Sequence, residues 1–322
     1  MLNFRVVRLL RAVGLRVLFG LISLFFISFV TFVADEIAPG DQATVLAGEK
    51  ASHEDLVAMR EKLGLNRPWY VRYGDFVWKA SHFELGNSFY GTKEPVSKII
   101  KDNLPMTVSI AGAAIVLASF LGIILGTIAA INENKALDRI VLTVSTLGVT
   151  LPNFVLAPLL VYVFAMQLDR LPQTWEIPLR GPVWMYLALP VLILSARPMA
   201  MLTRLTRASM IDTLQQEFIR LAIAKGVSPM RLYIVHALRN AILPVITSVG
   251  TSFGFLLTGS FVVERFFVLP GIGREAIEAI QQGNSPVIQA CILVTGAMFI
   301  LVNLLVDLIL PFIDPRIREA QV

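Results

Sequence analysis

The side chains able to carry nucleophilic, metal or phosphoryl chemistry in this chain are few. His53, His82 and His236 are its histidines and Cys291 its one cysteine. No Gly-x4-Gly-Lys-Ser/Thr loop occurs, so nucleotide phosphates have no backbone cradle of that kind. All three histidines lie outside the long apolar runs, which disfavours an embedded zinc site or a Ser–His nucleophile. One thiol in an apolar stretch supplies neither a disulfide framework nor a thiolate cluster. No catalytic residue, metal ligand or cofactor site is expected in the chain itself.

The elements that must position these residues are apolar. Of 322 residues, 56% are apolar and 16% charged, with a mean hydropathy of +0.70. Soluble domains run at about 45–50% apolar and about 25% charged. That contrast excludes a disordered chain, a secreted disulfide scaffold and an ordinary cytosolic enzyme. The net charge of +5 does not point to nucleic acid, because Lys and Arg gather at the ends of apolar runs, where they report topology. An all-α membrane protein, with the lipid bilayer as its solvent, is expected.

A bilayer core takes about 20 apolar residues per helix. Charge-free runs of that order are Val17–Ala34, Asn103–Asn132, Ile140–Leu168, Gly181–Ala196, Asn240–Val263 and Ala279–Val306. Six spans are predicted from them, at about 12–34, 103–132, 139–168, 182–205, 240–263 and 284–310. The second and third runs would each reach about 45 Å as straight helices. Pro152 and Pro158 interrupt the third span, and Pro190 and Pro198 the fourth, as kinks that suit helices around a pathway. Phe32-Val33-Ala34 puts a bulky residue where signal cleavage wants a small one, so the first helix is expected to stay uncleaved.

Orientation follows from the short loops. Arg5, Arg8, Arg11 and Arg16, then Lys135 and Arg139, the basic residues from Arg197 to Arg239, and Arg316 and Arg318 all fall on one side. The opposite short loops hold only Arg170, Arg180, Arg265 and Arg274. Both termini are therefore predicted inside. The spans show no pair of buried acid and base of the kind that marks ion-coupled transport, and Asp307 falls near the inner end of the sixth.

Two connecting segments have structure of their own. In the outer segment 35–102, Ser52 is an N-cap with Asp55 three residues on, Leu56, Met59 and Leu63 share a face, and Gly64 ends the helix. Pro68 opens a second short helix through Val77. Eight aromatics lie between Trp69 and Tyr90. They fit either a helical pair lying on the bilayer surface or a docking platform for an external partner. On the inner side, Asp212 to Lys225 reads as a helix with Phe218, Leu221, Ala222 and Lys225 on one face. Gly226 stops it, and Ser228-Pro229 starts another whose apolar face is Leu232, Val235 and Leu238. Such a face must be buried, against the membrane or against a cytoplasmic protein.

Ordered short motifs then give a resemblance over essentially the whole chain. They are Ala38-Pro39-Gly40-Asp41, Leu63-Gly64-Leu65-Asn66-Arg67-Pro68, Leu85-Gly86-Asn87-Ser88, Leu104-Pro105-Met106-Thr107, Leu137-Asp138-Arg139 and Leu151-Pro152-Asn153-Phe154. Further on stand Glu217-Phe218-Ile219-Arg220, Ala224-Lys225-Gly226, His236-Ala237-Leu238-Arg239-Asn240, Pro270-Gly271-Ile272-Gly273 and Asp314-Pro315-Arg316. In these motifs the chain resembles the inner-membrane permease subunit of bacterial dipeptide/oligopeptide/nickel ATP-driven importers.

The resemblance implies a type I ABC importer permease fold. Residues 1–103 would hold the first helix and the outer segment, 104–311 the transmembrane permease domain, and 312–322 a cytoplasmic tail. It implies that 212–240 is the cytoplasmic coupling loop, with Glu217, Arg220, Ala222, Lys225 and Gly226 contacting the ATPase. It implies a homologous second permease, one or two ABC ATPase subunits that bind ATP and Mg, and an extracytoplasmic solute-binding protein. The cargo class would be di- or oligopeptides, nickel, glutathione or a related solute. Pro152 and Asn153 are candidates for the translocation pathway.

The chain departs from the family pattern in two places. Arg220 and Leu221 replace the first two positions of the loop's Glu-Ala-Ala-x3-Gly pattern, and Asn284-Ser285 replaces an Arg-Asp-Tyr-like sequence on the outer side. The alternative to this reading is a self-sufficient secondary transporter or channel, which would call for buried ionisable residues or an inverted repeat.

Overall fold

The computed structural model describes residues 2–37, 42–48, 51–91 and 93–313, with side chains described from Val13 to Ile309. The Ala38-Pro39-Gly40-Asp41 and Asp314-Pro315-Arg316 motifs, the side chains of Arg5, Arg8, Arg11, Arg316 and Arg318, and the tail from 314 onward lie outside the described residues. The helices in chain order are α1 (Leu2–Ile37), α2 (Gln42–Ala47), α3 (His53–Leu63), α4 (Trp69–Ser81), α5 (Val96–Ile131), α6 (Ala136–Thr150) and α7 (Asn153–Val161). They continue as α8 (Val183–Leu214), α9 (Glu217–Ala224), α10 (Pro229–Arg231), α11 (Arg239–Gly259), α12 (Phe261–Phe266), α13 (Ile272–Gln282) and α14 (Ser285–Ile313). Wider π-helical turns, Tyr162–Gln167 and Leu232–Leu238, follow α7 and α10.

Among the described residues, five helices are long and apolar enough to cross a membrane: Val13–Ile37, Val96–Ile131, Val183–Leu214, Pro229–Gly259 and Ser285–Ile309. A sixth span exists only if Ala136–Thr150 and Asn153–Gln167, bent by 106°, count as one. The span expected over 139–168 with kinks at Pro152 and Pro158 is thus broken outright, by a sharp bend at the first of them. Its cause is Pro152, whose ring disfavours helical geometry in the residue before it. Leu151 accordingly takes φ −81°, ψ 120°.

The fourth candidate span runs to Leu214, and the fifth, with α10, the π-helical turn and α11 taken as one, starts at Pro229, beyond the expected 205 and 240. The reason is that lipid matching ends where charges begin, whereas backbone hydrogen bonding does not. The sixth run, read from Ala279, is divided at Gly283 into α13 and α14.

The chain forms two compact units. Met1–Thr107 with Pro270–Ile300 make the first. Here the capping box at Ser52 and Asp55 and left-handed Gly64 (φ 67°) delimit α3 as expected. Pro68 stands one place before the helix, and α4 continues to Ser81. The aromatic segment packs on α1: Tyr73 is buried against Phe25, Phe29 and Phe32 with ring centroids 5.3–5.7 Å away.

Val108–Leu269 with Leu301–Val322 make the second unit, in which α6 and α11 pack along α8. α5 joins them through glycine. A Cβ on Gly126 would lie 2.5 Å from the Thr203 carbonyl oxygen and 2.6 Å from the Thr206 Cβ. Only glycine permits that approach, a small-residue contact typical of membrane helices.

Candidate functional site

The segment after α8 is built to present a short helix. Gln216 turns extended (φ −73°, ψ 150°) and separates Leu214 from Glu217. The single helix read over 212–225 is thus two, with Asp212 in the last turn of α8. Glu217 places its charge at the N-terminal end of α9, where the helix dipole favours an anion. The far end closes at Gly226, whose φ of +75° is left-handed. The Gly226 N–H donates to the Ile223 carbonyl at 2.9 Å, and the Val227 N–H to that of Ala222 at 3.2 Å. Ser228 and Pro229 then open the next helix as the sequence predicts.

Ile219 and Ala222 seat α9 in a cluster with Ala130, Met210, Leu232, Ala237 and Ala241. Full burial of an Ile side chain is worth about 1.5–3 kcal/mol, and Ile219 is only 1% exposed. The inner face is therefore Ile219 and Ala222, displaced from the expected Phe218, Leu221, Ala222 and Lys225. Phe218, Leu221 and Ile223 lie on the surface, as do Met230, Ile234 and Val235. The wide π turn explains the second displacement. Leu232, Ala237 and Ala241 face inward at spacings of five and four, which leaves Val235 outside.

Of the residues singled out from the sequence, Glu217, Arg220, Lys225 and Gly226 are exposed around this helix and Ala222 is buried beneath it. Arg220 donates to Glu217 at 3.1 Å, but their side chains are 70% and 89% exposed, so the pair adds little stability. Pro152 and Asn153 sit apart from them, at the bend between α6 and α7; Asn153 is half-buried.

Sequence reasoning missed a buried ion pair in the same unit. Arg207 in α8 donates from Nε to Asp138 Oδ1 at 2.6 Å and from Nη2 to Oδ2 at 2.7 Å. The Asn134 N–H donates to Oδ2 at 2.9 Å. Asp138 is 2% exposed. The expectation of no buried charge pair rested on apolar runs that begin at Ile140. The helices start and end outside those runs, and the pair joins their polar ends. Glu264, one residue past the span expected over 240–263, is likewise buried in α12, where Ser260 Oγ donates to it at 2.6 Å.

In the first unit, Asn284 is buried rather than part of an open loop. Its Nδ2 donates to Ser88 Oγ at 2.8 Å and its Oδ1 accepts from the Phe89 N–H at 3.1 Å. It thereby pins the turn that ends at the Asn87–Pro95 bridge. Beside it lies a cavity of about 260 Å³ lined by Ser88, Tyr90, Glu94, Glu275, Glu278 and Asn284 among others. Burial, reinforced by the neighbouring Glu278 carboxylate and opposed by Arg274, raises the Glu275 pKa above its ordinary value of 4.5. Among the described residues no group of three or more His, Cys, Asp or Glu is placed to hold a metal ion.

The family described as "Binding-protein-dependent transport system inner membrane component" matches residues 122–319, and its N-terminal companion matches residues 1–111. A Brucella abortus protein named for a peptide transport system permease is 38% identical over 295 residues, covering 91% of this chain and 94% of that one. The glutathione transport system permease protein of Escherichia coli K12 is 37% identical over 319 residues, 99% of both chains. A crystal structure of an amino acid ABC transporter with histidines matches with a TM-score of 0.50 at 17% identity, over 68% of this chain and 94% of that one. That last likeness concerns the fold alone. On its sequence, its membrane helices and these matches, the chain belongs to the binding-protein-dependent transport system inner membrane component family, the permease component of a bacterial ABC importer.

Proposed function

We propose that this permease couples to cytoplasmic ATPases through α9 and carries a di- or oligopeptide, or a glutathione-like solute, between itself and a homologous second permease. The observation that carries the coupling reading is the division of α9 into two faces. Ile219 and Ala222 fasten it to the core of its own unit, while Phe218, Leu221 and Ile223 stay uncovered beside Arg220 and Lys225. An apolar helix face left open at a polar surface calls for a partner. Glu217, Arg220, Lys225 and Gly226 lie at the proposed contact, and Ala222 acts from beneath as part of the seat.

In this reading both termini are cytoplasmic. Residues 1–103 supply the first span and an outer segment, 104–311 the transmembrane core and 312–322 a cytoplasmic tail. A solute-binding protein delivers cargo at the outer face. One or two kinds of ATPase subunit hold ATP and Mg, and this chain is non-catalytic. ATP-driven closure moves α9, and with it α8, on which α9 is hinged at Gln215 and Gln216. Such work requires the ATPases to grip the two pore states with different affinity, since an equal grip shifts nothing. The break at Pro152 and Asn153 places an amide where a span is interrupted, a position suited to the pathway. The peptide and glutathione cargo classes are drawn from the names of the relatives.

The test is a mild-detergent pull-down from native membranes with identification of what co-purifies. Recovery of a second permease and ATPases supports the reading. Stable recovery of the chain alone overturns it and directs attention to ion-coupled uptake.

A further inference from the structure

We propose that α4 is an interfacial helix sunk into the lipid leaflet at the Ile37 end of α1, with the headgroup–acyl boundary as its partner. The first observation is depth. Asp35 and Glu36 end the apolar run of α1, and α4 docks below them. Trp69 meets Phe29 with ring centroids 6.5 Å apart, and Phe76 meets Phe32 at 6.1 Å. Phe29 and Phe32 precede Asp35 by six and three residues, roughly 5–9 Å along the helix axis. The apolar side of an interfacial helix sits at about that depth, 5–10 Å below the surface.

The second observation is roll. Tyr73 reaches toward the membrane interior, where its hydroxyl lies 2.9 Å from Ser28 Oγ and donates to the Phe25 carbonyl at 3.3 Å. Arg72 points the other way and pairs with Glu36 at the end of α1. Up and down are thus set by contacts with a helix that itself spans the membrane.

The third observation is how the remaining surface divides. At about 100° per residue, Tyr70, Val71, Gly74 and Trp78 share one arc, while Arg72, Asp75 and Lys79 share another. Tyr70 and Trp78 are 62% and 69% exposed, and the arc they form matches in kind the exposed apolar Phe26 and Val30 of the membrane-length helix α1. A helix docked on a soluble surface has one buried and one polar face. Three faces, one of them exposed and aromatic, are what a helix needs when it touches protein, lipid and water at once. Tyr and Trp prefer that boundary because one end of each ring system is apolar and the other polar.

The experiment uses the full chain, reconstituted in bilayers with the subunits that co-purify with it. Spin labels are placed singly at Tyr70→Cys, Trp78→Cys, Lys79→Cys and, on exposed α3, Glu54→Cys, in a Cys291→Ala background. Collision rates with oxygen and with a water-soluble nickel chelate are compared. Labels at 70 and 78 are expected to favour oxygen several-fold over those at 79 and 54. In a parallel measurement without labels, shallow bromolipids should quench tryptophan fluorescence, and Trp78→Phe should remove part of the quenchable fraction. Equal access of the chelate to all four sites overturns the proposal. So does chelate access at 70 and 78 that disappears only when the solute-binding protein is added, which would make α4 a protein-docking platform. These outcomes are independent of whether α9 contacts an ATPase.

Discussion

Arg207 and Asp138, 69 residues apart, close a two-point hydrogen-bonded ion pair that ties the start of α6 to the C-terminal part of α8. The fork geometry of guanidinium on carboxylate fixes orientation as well as distance. α8 is the helix from which α9 hangs. The pair therefore lies on the mechanical route from the proposed coupling helix to the rest of its unit.

Removing one member should be worse than removing both. Arg207→Ala leaves a buried carboxylate unpaired, at a cost of about 3–5 kcal/mol. Asp138→Asn with Arg207→Met should recover much of that loss. Thermal midpoints of the purified chain in nanodiscs would check this; equal loss in the single and double variants would refute it. Arg207→Lys should fall between, because lysine keeps the charge and loses the fork.

Gly226 makes a conformational demand, not a spatial one. A Cβ there would meet nothing within 4 Å, yet φ is +75°. Gly226→Val should therefore disrupt the turn by backbone strain, at about 1–2 kcal/mol or more, and lower ATPase co-purification and substrate-stimulated ATP turnover. Gly226→Asn should be milder, since asparagine tolerates the left-handed region. Equal ATP turnover in wild type and Gly226→Val would remove the turn from the coupling mechanism.

The two faces of α9 should separate in mutagenesis. Ile219→Ala empties a packed site and should cost about 2–5 kcal/mol of stability. Phe218→Ala and Leu221→Ala change exposed positions and should leave the thermal midpoint nearly unchanged while reducing ATPase recovery in the pull-down. Loss of stability in the second pair, with ATPase binding intact, would reverse the assignment of the faces.

Glu275 gives the first unit a pH dependence. Its folded pKa is raised above 4.5 by burial, so the folded state holds its proton more tightly than the unfolded state. The stabilisation is complete below pH 4.5 and is lost as pH rises through the folded pKa. Glu275→Gln should flatten that slope in a melting-temperature series, with the wild type gaining relative stability toward acid. Asp55 works in the opposite sense. The Ser52 hydroxyl and backbone N–H lower its pKa, so its contribution is present above the ordinary value of 3.8 and disappears as pH falls through the lowered one.

Much of this protein was legible in order along the chain. Lipid-length apolar runs, basic loop ends, the Ser52 cap, the stop at Gly226 and the start at Pro229 are local signals. Each arises from a few neighbouring residues whose backbone or solvation preference survives in any context. Pro152 belongs to the same class, although its presence alone did not distinguish a kink from a 106° bend. What only the tertiary structure decided are the choices made between distant segments. A 3.6-residue period put Phe218, Leu221 and Val235 inward. The break at Gln216 and the π turn at Leu232–Leu238 rotated them out and brought in Ile219 and Ala237. The eight aromatics from Trp69 to Tyr90 could have met lipid or protein; Trp69, Tyr73 and Phe76 met α1, and Tyr73 was buried there, where Ser28 and Phe25 offered its hydroxyl partners. Asp138 read as one charge beside an apolar run until folding brought Arg207 to it. Burial and pairing are properties of the packed chain, and no local pattern of residues contains the partner that satisfies a buried charge.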